Sequence, residues 1–181
     1  MSIIVVLTGE LGSGKSTALI RAVNLLKSRG LLIGGVTSRE HRNEGTRVGF
    51  DLEDIATGNR GVLASLTTNV GPRLGRYRVN LRDLSDIAAT ALISTIKGSD
   101  VIVCDEIGPM ELLSPEFRRA VKAILESRKP LIVVVHKKLN DPAILDVKNS
   151  PRSLVFDVNE ENRDSLPNMI EVKIVSSIDH D

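Results

Sequence analysis

The stretch Gly9-Glu10-Leu11-Gly12-Ser13-Gly14-Lys15-Ser16 constrains this chain more than any other. It matches G-x-x-x-x-G-K-[ST], and its setting counts for more than the match. An apolar, β-branched run, Ile3 to Leu7, precedes it, and a helical pattern opens near Lys15. Glycines let a backbone fold tightly around an anion and expose successive N–H groups. A helix N-terminus adds partial positive charge. Lys15 can reach the β- and γ-phosphates of a nucleotide, and the Ser16 hydroxyl can bind Mg²⁺. A dinucleotide-binding loop fits worse, because Gly12-x-Gly14 is followed by Thr17 where that motif needs glycine.

A strand feeding such a loop and helix implies an α/β chain, and the remaining sequence agrees. Further apolar runs read as buried parallel strands: Leu32 to Thr37, Val101 to Cys104, Leu131 to Val135, Leu154 to Val158 and Met169 to Val175. Between them lie helical stripes. Leu19, Val23 and Leu26 mark one, ended by Gly30. Ile87, Ala88, Ala91 and Leu92 mark another, from about 84 to 97. The third has Ser114 as N-cap, Pro115 at the first turn and Pro130 as terminator. Alternating strands and helices predict a P-loop NTPase fold, a parallel sheet flanked by helices on both faces. Residues 46–82 break the rhythm. Val48 to Leu52 and Gly61 to Ala64 flank the turn Thr57-Gly58-Asn59, which predicts an antiparallel hairpin insertion, with Tyr77 to Leu81 as a third strand. The chain is expected to be a single domain over 1–181, with a frayed tail from Ser176.

Composition narrows the partners. A net charge of +1 predicts no broad basic face for nucleic acid, and four aromatic residues, one Tyr and three Phe, cannot build a base-stacking platform. The single cysteine, Cys104, excludes an internal disulfide and a cysteine-built metal site. The first apolar run is too short for a signal peptide or membrane span. A cytoplasmic monomer acting on small molecules is expected.

A second motif completes the expected site. Val101-Ile102-Val103-Cys104 ends in Asp105-Glu106. Strand C-terminal ends gather around the phosphates in such sheets, so Asp105 can hold Mg²⁺ opposite Ser16. Strand alternation points Glu106 to the other side, where it can polarise a water for attack on the γ-phosphorus. Cys104, inside the apolar run, reads as a small buried hydrophobe.

Asp105-Glu106-Ile107-Gly108-Pro109-Met110-Glu111-Leu112 closely resembles the D-E-I-G-x-M-E-L signature of a small nucleoside-triphosphatase family, first known from thermophiles and with a cancer-related animal member. Gly71-Pro72-Arg73-Leu74-Gly75-Arg76-Tyr77 is similar to its G-x-R-x-G-K-Y segment, and Asn162-Arg163-Asp164-x-Leu166-Pro167 to its N-R-D-x-L-P tail. Asp54-x-x-Thr57-Gly58 and His136 fall in the expected order. The resemblance implies Mg²⁺-dependent hydrolysis of several nucleoside triphosphates to diphosphates with loose base preference. It also implies a P-loop core with an extra strand beside the phosphate-loop strand. It assigns nucleotide contacts to Gly9, Glu10, Leu11, Gly12, Ser13, Gly14, Lys15, Ser16 and Thr17, and to Val103, Cys104, Asp105, Glu106, Ile107 and Gly108. Within that set Ser16 and Asp105 serve the metal, and Glu106 and Lys15 serve catalysis. Two departures stand out: the family loop commonly has Pro near position 11 and no acid at 10, where this chain has Glu10-Leu11, and Arg76 replaces a usual Lys.

Other candidates are weaker. His136 follows the strand Leu131 to Val135 and can sense the γ-phosphate or position water. Transition-state charge calls for a cation beyond Lys15, and Arg39, Arg73, Arg76, Arg118, Arg152 and Arg163 are available. His41 and His180 have no ligand-spaced partners. Two other functions fit the same fold: a nucleotide or nucleoside kinase, with residues 46–82 as acceptor pocket, and a nucleotide-dependent switch. Against a GTPase-type switch, the chain lacks N-K-x-D and offers only His136-Lys137-Lys138-Leu139-Asn140-Asp141.

Overall fold

The computed structural model describes residues 2–179, so His180 lies outside the described residues. Its strands are β1 (Ile4–Thr8), β2 (Ile33–Asn43), β3 (Thr46–Asp54), β4 (Arg60–Ser65), β5 (Arg73–Leu74), β6 (Tyr77–Val79), β7 (Val101–Ile107), β8 (Leu131–Val135) and β9 (Ser153–Asp157). They form one sheet in the order β5-β6-β4-β3-β2-β7-β8-β1-β9. The half from β2 to β9 is parallel, and its inner strands β7, β8 and β1 carry near-continuous apolar runs, as strands covered on both faces must. The expected extra strand is β8, between β1 and β7.

β2 joins the two halves. Ile33 to Thr37 pair parallel with β7, and Val36 to Asn43 pair antiparallel with β3. The strand expected to stop at Thr37 therefore continues for a further six residues. It turns at Glu44-Gly45, both with positive φ (47° and 79°), the conformation a two-residue hairpin with right-handed twist requires. The expected β3–β4 hairpin and third strand β6 are present. Asp54-x-x-Thr57-Gly58 is turn chemistry: Asp54 accepts hydrogen bonds from the Ala56 N–H (2.9 Å) and the Thr57 hydroxyl (2.8 Å).

Helices cover both faces. α1 (Lys15–Ser28) and α6 (Leu166–Ile178) pack on one, burying Leu19, Leu26, Ile170 and Ile174. The other face holds α2 (Leu81–Asp83), a π-helical segment (Leu84–Ala89), α3 (Thr90–Gly98), α4 (Pro115–Glu126) and α5 (Pro142–Asn149), with Leu92, Phe117, Ile124 and Ile144 buried. Phe117 and its neighbours each contribute about 1.5–3 kcal/mol by leaving water. Ser114 caps α4 as expected, accepting from the Phe117 N–H at 3.1 Å.

Two expectations fail here. Met169 to Val175 is not a strand but the middle of α6. Leu166, Ile170 and Ile174 recur every four residues on its buried side, with Val172 59% exposed. The tail from Ser176 is not frayed at its start, because α6 runs to Ile178. α5, unmarked in the sequence reading, is capped by Asp141, whose side chain accepts from the Ala143 N–H. Among the described residues no helix is long and apolar enough to cross a membrane.

Candidate functional site

The phosphate loop lies between β1 and α1, as its flanks dictate. Gly14 caps α1 in the left-handed region (φ 101°), and a Cβ there would sit 3.2 Å from Cδ of Arg163. Only glycine satisfies both the backbone and that approach. Lys15 Nζ donates to the carbonyls of Gly9 (3.0 Å) and Glu10 (2.8 Å), so the ammonium hangs inside the loop's curve. Ser16 and Thr17 begin α1, both exposed. Among the described residues two buried hydroxyls lack any hydrogen-bond partner, Thr8 Oγ1 just before this loop and Ser13 Oγ within it.

β7 brings the acidic pair to the same place. Asp105 is only 4% exposed, and burial pushes its carboxyl up to about 7. The Glu106 charge pushes the same way, while Ser16, whose hydroxyl faces it, and Lys15 oppose the shift. Glu106 is raised by burial, opposed by His136 and Lys15. The predicted alternation does not hold across the pair. Asp105 pairs with Val134 but Ile107 with Val135, so Glu106 is an extra residue in the strand. Such a bulge re-aims side chains, and both carboxyls sense Lys15. The other residues of this segment offer main chain: Val103, Cys104 and Ile107 point their side chains into the cores. Burial holds the Cys104 thiol well up, protonated and inert.

Gly108 separates two carboxyls. A Cβ there would lie 2.7 Å from Glu106 Oε1 and 3.0 Å from Glu111 Oε2. Glu111 is buried and accepts from the Gly108 N–H and its own N–H. Burial first, and the Glu106 charge second, push it up to about 8. The sequence reading gave Glu111 no role. Its signals are its place in the D-E-I-G-x-M-E-L resemblance and an acid set between Met110 and Leu112.

The rim resolves the unusual loop. Glu10 turns its carboxylate outward to Lys137 (3.4 Å) and Lys138 (3.7 Å), away from the inside of the loop. Lys137 also pairs with Asp157 at 3.0 Å. Leu11, at the tip, is 89% exposed. His136 Nδ1 accepts the Leu139 N–H at 3.1 Å, which leaves the ring proton on Nε2 in the neutral form.

Five of the six candidate arginines are committed elsewhere. Arg39 pairs with Glu53, and Arg118 grips Asp141 with two bonds. Arg152 ties Ser2 to the Leu125 carbonyl. Arg73 bonds the Gly75 carbonyl, and Arg76 lies over the Tyr77 ring. Only Arg163 reaches the loop, and it has no acidic partner among the described residues.

A family model described as NTPase matches residues 4–171. The nucleoside-triphosphatase THEP1 of Methanosarcina barkeri is 45% identical over 167 residues, covering 92% of this chain and 94% of that one. The protein of the same name from Thermofilum pendens is 37% identical over 179 residues, covering 95% of each. Two solved structures superpose closely: the crystal structure of THEP1 from Aquifex aeolicus (TM-score 0.84, 25% identity, 95% of this chain and 99% of that one), and the solution structure of a human cancer-related nucleoside triphosphatase (TM-score 0.82, 31% identity, 97% and 99%). Taken with the loop, the acidic pair and the sheet order, these place the chain in the NTPase family of P-loop nucleoside-triphosphatases.

Proposed function

We propose that this chain hydrolyses nucleoside triphosphates to diphosphates and phosphate, with Mg²⁺ and little regard for the base. The observation that carries the reading is the convergence of Lys15, Ser16, Asp105 and Glu106, from two separate motifs, on one end of the sheet. Family relatives named as nucleoside-triphosphatases support it. The residues fit the metal: one buried carboxylate and one hydroxyl are what Mg²⁺ takes from protein when substrate oxygens complete its shell. Ser16 and Asp105 would hold it, and bound there it would neutralise charge on the phosphate oxygens.

Each side chain then has a task. Lys15 exchanges two main-chain carbonyls for phosphate oxygens, which carry charge and are stronger acceptors. Glu106, raised by burial, is a better base than an exposed glutamate and takes a proton from the attacking water. His136 Nε2–H can donate to the same region. We place the reaction in the cytoplasm, by a monomer acting on nucleotides and not nucleic acid, in keeping with the near-neutral charge and the single buried cysteine.

The test is phosphate release from Mg-ATP with no acceptor present. Glu106→Gln is expected to lower kcat by about 10²- to 10⁴-fold with KM little changed. Release in the wild type no faster than in that variant would discard hydrolysis and favour a kinase, which needs an acceptor for turnover.

A further inference from the structure

The sequence motif around Asn162-Arg163-Asp164 lies outside the chemistry described above, yet it closes a cavity against the phosphate loop. That cavity, of about 340 Å³, is lined by Gly12 and Ser13 on one side and by Val158, Asn159, Glu160 and Arg163 on the other. Its size falls within the range of about 300–1,000 Å³ usual for small-molecule pockets. We propose that this cavity is the nucleoside subsite, with the Arg163 guanidinium as the face on which the base stacks. The inference rests on the triphosphate reading and extends it to the other end of the substrate.

Sheet order sets the direction. β7, with Asp105 and Glu106, lies on one side of β1, and β9 lies on the other. A triphosphate in the loop above β1, with its γ-end at the carboxylates, must point its nucleoside towards the end of β9. The charge there agrees. Lys137 lines the cavity too but is paired with Glu10 and Asp157, which leaves Glu160 as the acid without a paired cation among the described residues. The lining therefore offers a phosphate no free lysine and an uncharged sugar and base no penalty.

Arg163 is built to offer its plane. Its methylenes press on Gly14, which fixes the stem. With no carboxylate partner among the described residues, the guanidinium is available to stack, as arginine does on aromatic faces.

The loop carrying it is rigid. The Asn159 N–H donates to Asn162 Oδ1 (2.9 Å), the Asn162 N–H returns a bond to Asn159 Oδ1 (3.2 Å), and Asn162 Nδ2 holds the Asp157 carbonyl (2.9 Å). The Val158 N–H anchors the loop to Thr8 at 2.7 Å. Both asparagine amides are thus used up inside the loop, and neither is left to read a base edge. Stacking accepts every base because every base has a π-face. Loose base preference follows from this arrangement.

The experiment compares ligands that differ only in the nucleoside. Binding of ADP and of pyrophosphate, each with Mg²⁺, is measured by calorimetry for the wild type, Arg163→Ala and Arg163→Lys. In the alanine variant the ADP-to-pyrophosphate affinity ratio is expected to fall about 10- to 100-fold, the effect of losing one stacked base. Arg163→Lys, which keeps the charge but not the plane, is expected to show the same loss. An unchanged ratio in Arg163→Ala overturns the proposal, as does recovery of the ratio by lysine, which would mean that charge alone acts. Because the readout is equilibrium binding, it stands even if the wild type fails to hydrolyse ATP, and that separate failure would strike only the catalytic reading.

Discussion

At the scale of single residues, charge placement explains more than charge count. Glu10 beside a phosphate loop looks self-defeating until its two lysine partners are seen. Lys15 has no such partner and hangs on two carbonyls. Lys15→Ala is expected to weaken nucleoside-triphosphate binding about 10- to 100-fold, because a bond to a charged group is worth roughly 1.5–3 kcal/mol; equilibrium titration checks it. Glu111 yields a pH prediction. Its folded carboxyl stays protonated up to about 8, whereas the unfolded one ionises above 4.5. Between those values the unfolded state sheds a proton that the folded state keeps, so stability is full below 4.5 and declines as pH rises through 8. Glu111→Gln keeps an oxygen for the Gly108 N–H and removes this penalty. In metal-free protein it is expected to raise stability at pH 7 by roughly 3 kcal/mol and to leave it unchanged near pH 4.5. Denaturant titrations at the two pH values would show it.

At the scale of elements, α6 shows how burial decides between two readings of one string. Met-Ile-Glu-Val-Lys-Ile-Val alternates in the manner of a strand, but β9 is already the sheet edge and the segment packs on α1. Glu171 faces inward at one end of that contact, paired with Arg29 at 2.6 Å. In this helix Ile170→Ala is expected to cost about 2–5 kcal/mol and Val172→Ala less than about 0.5, since one fills a core and the other lies on the surface. A strand would bury Ile170 and Val172 together, and chemical denaturation of the two variants separates the cases. β2 is the other instructive element. Its parallel half reads as an apolar run, whereas Ser38 to Asn43 is polar and carries no local strand signal. That half is a strand because β3 hydrogen-bonds to it.

At the scale of the molecule, the loop, β7 and the Asp157–Arg163 loop meet only in the folded state, so a ligand bridging them stabilises the whole. A non-hydrolysable triphosphate with Mg²⁺ at a hundred times its Kd is expected to add about 2.7 kcal/mol, and hence roughly 5–11 °C in Tm, read by thermal unfolding. At the same ligand concentration the gain should fall to about 0.4–1.4 kcal/mol in Lys15→Ala. The sequence by itself determined the parallel core, the phosphate loop and the acidic pair, because each rests on local pattern: apolar runs of strand length, glycine spacing, a charge after a strand. Tertiary structure alone decided which arginine lies against the loop, where Glu10 points, how Glu106 turns at the bulge and that Glu111 is buried beside it. Those outcomes depend on distances between residues far apart in the chain, and local pattern carries no such distances until the sheet order is set.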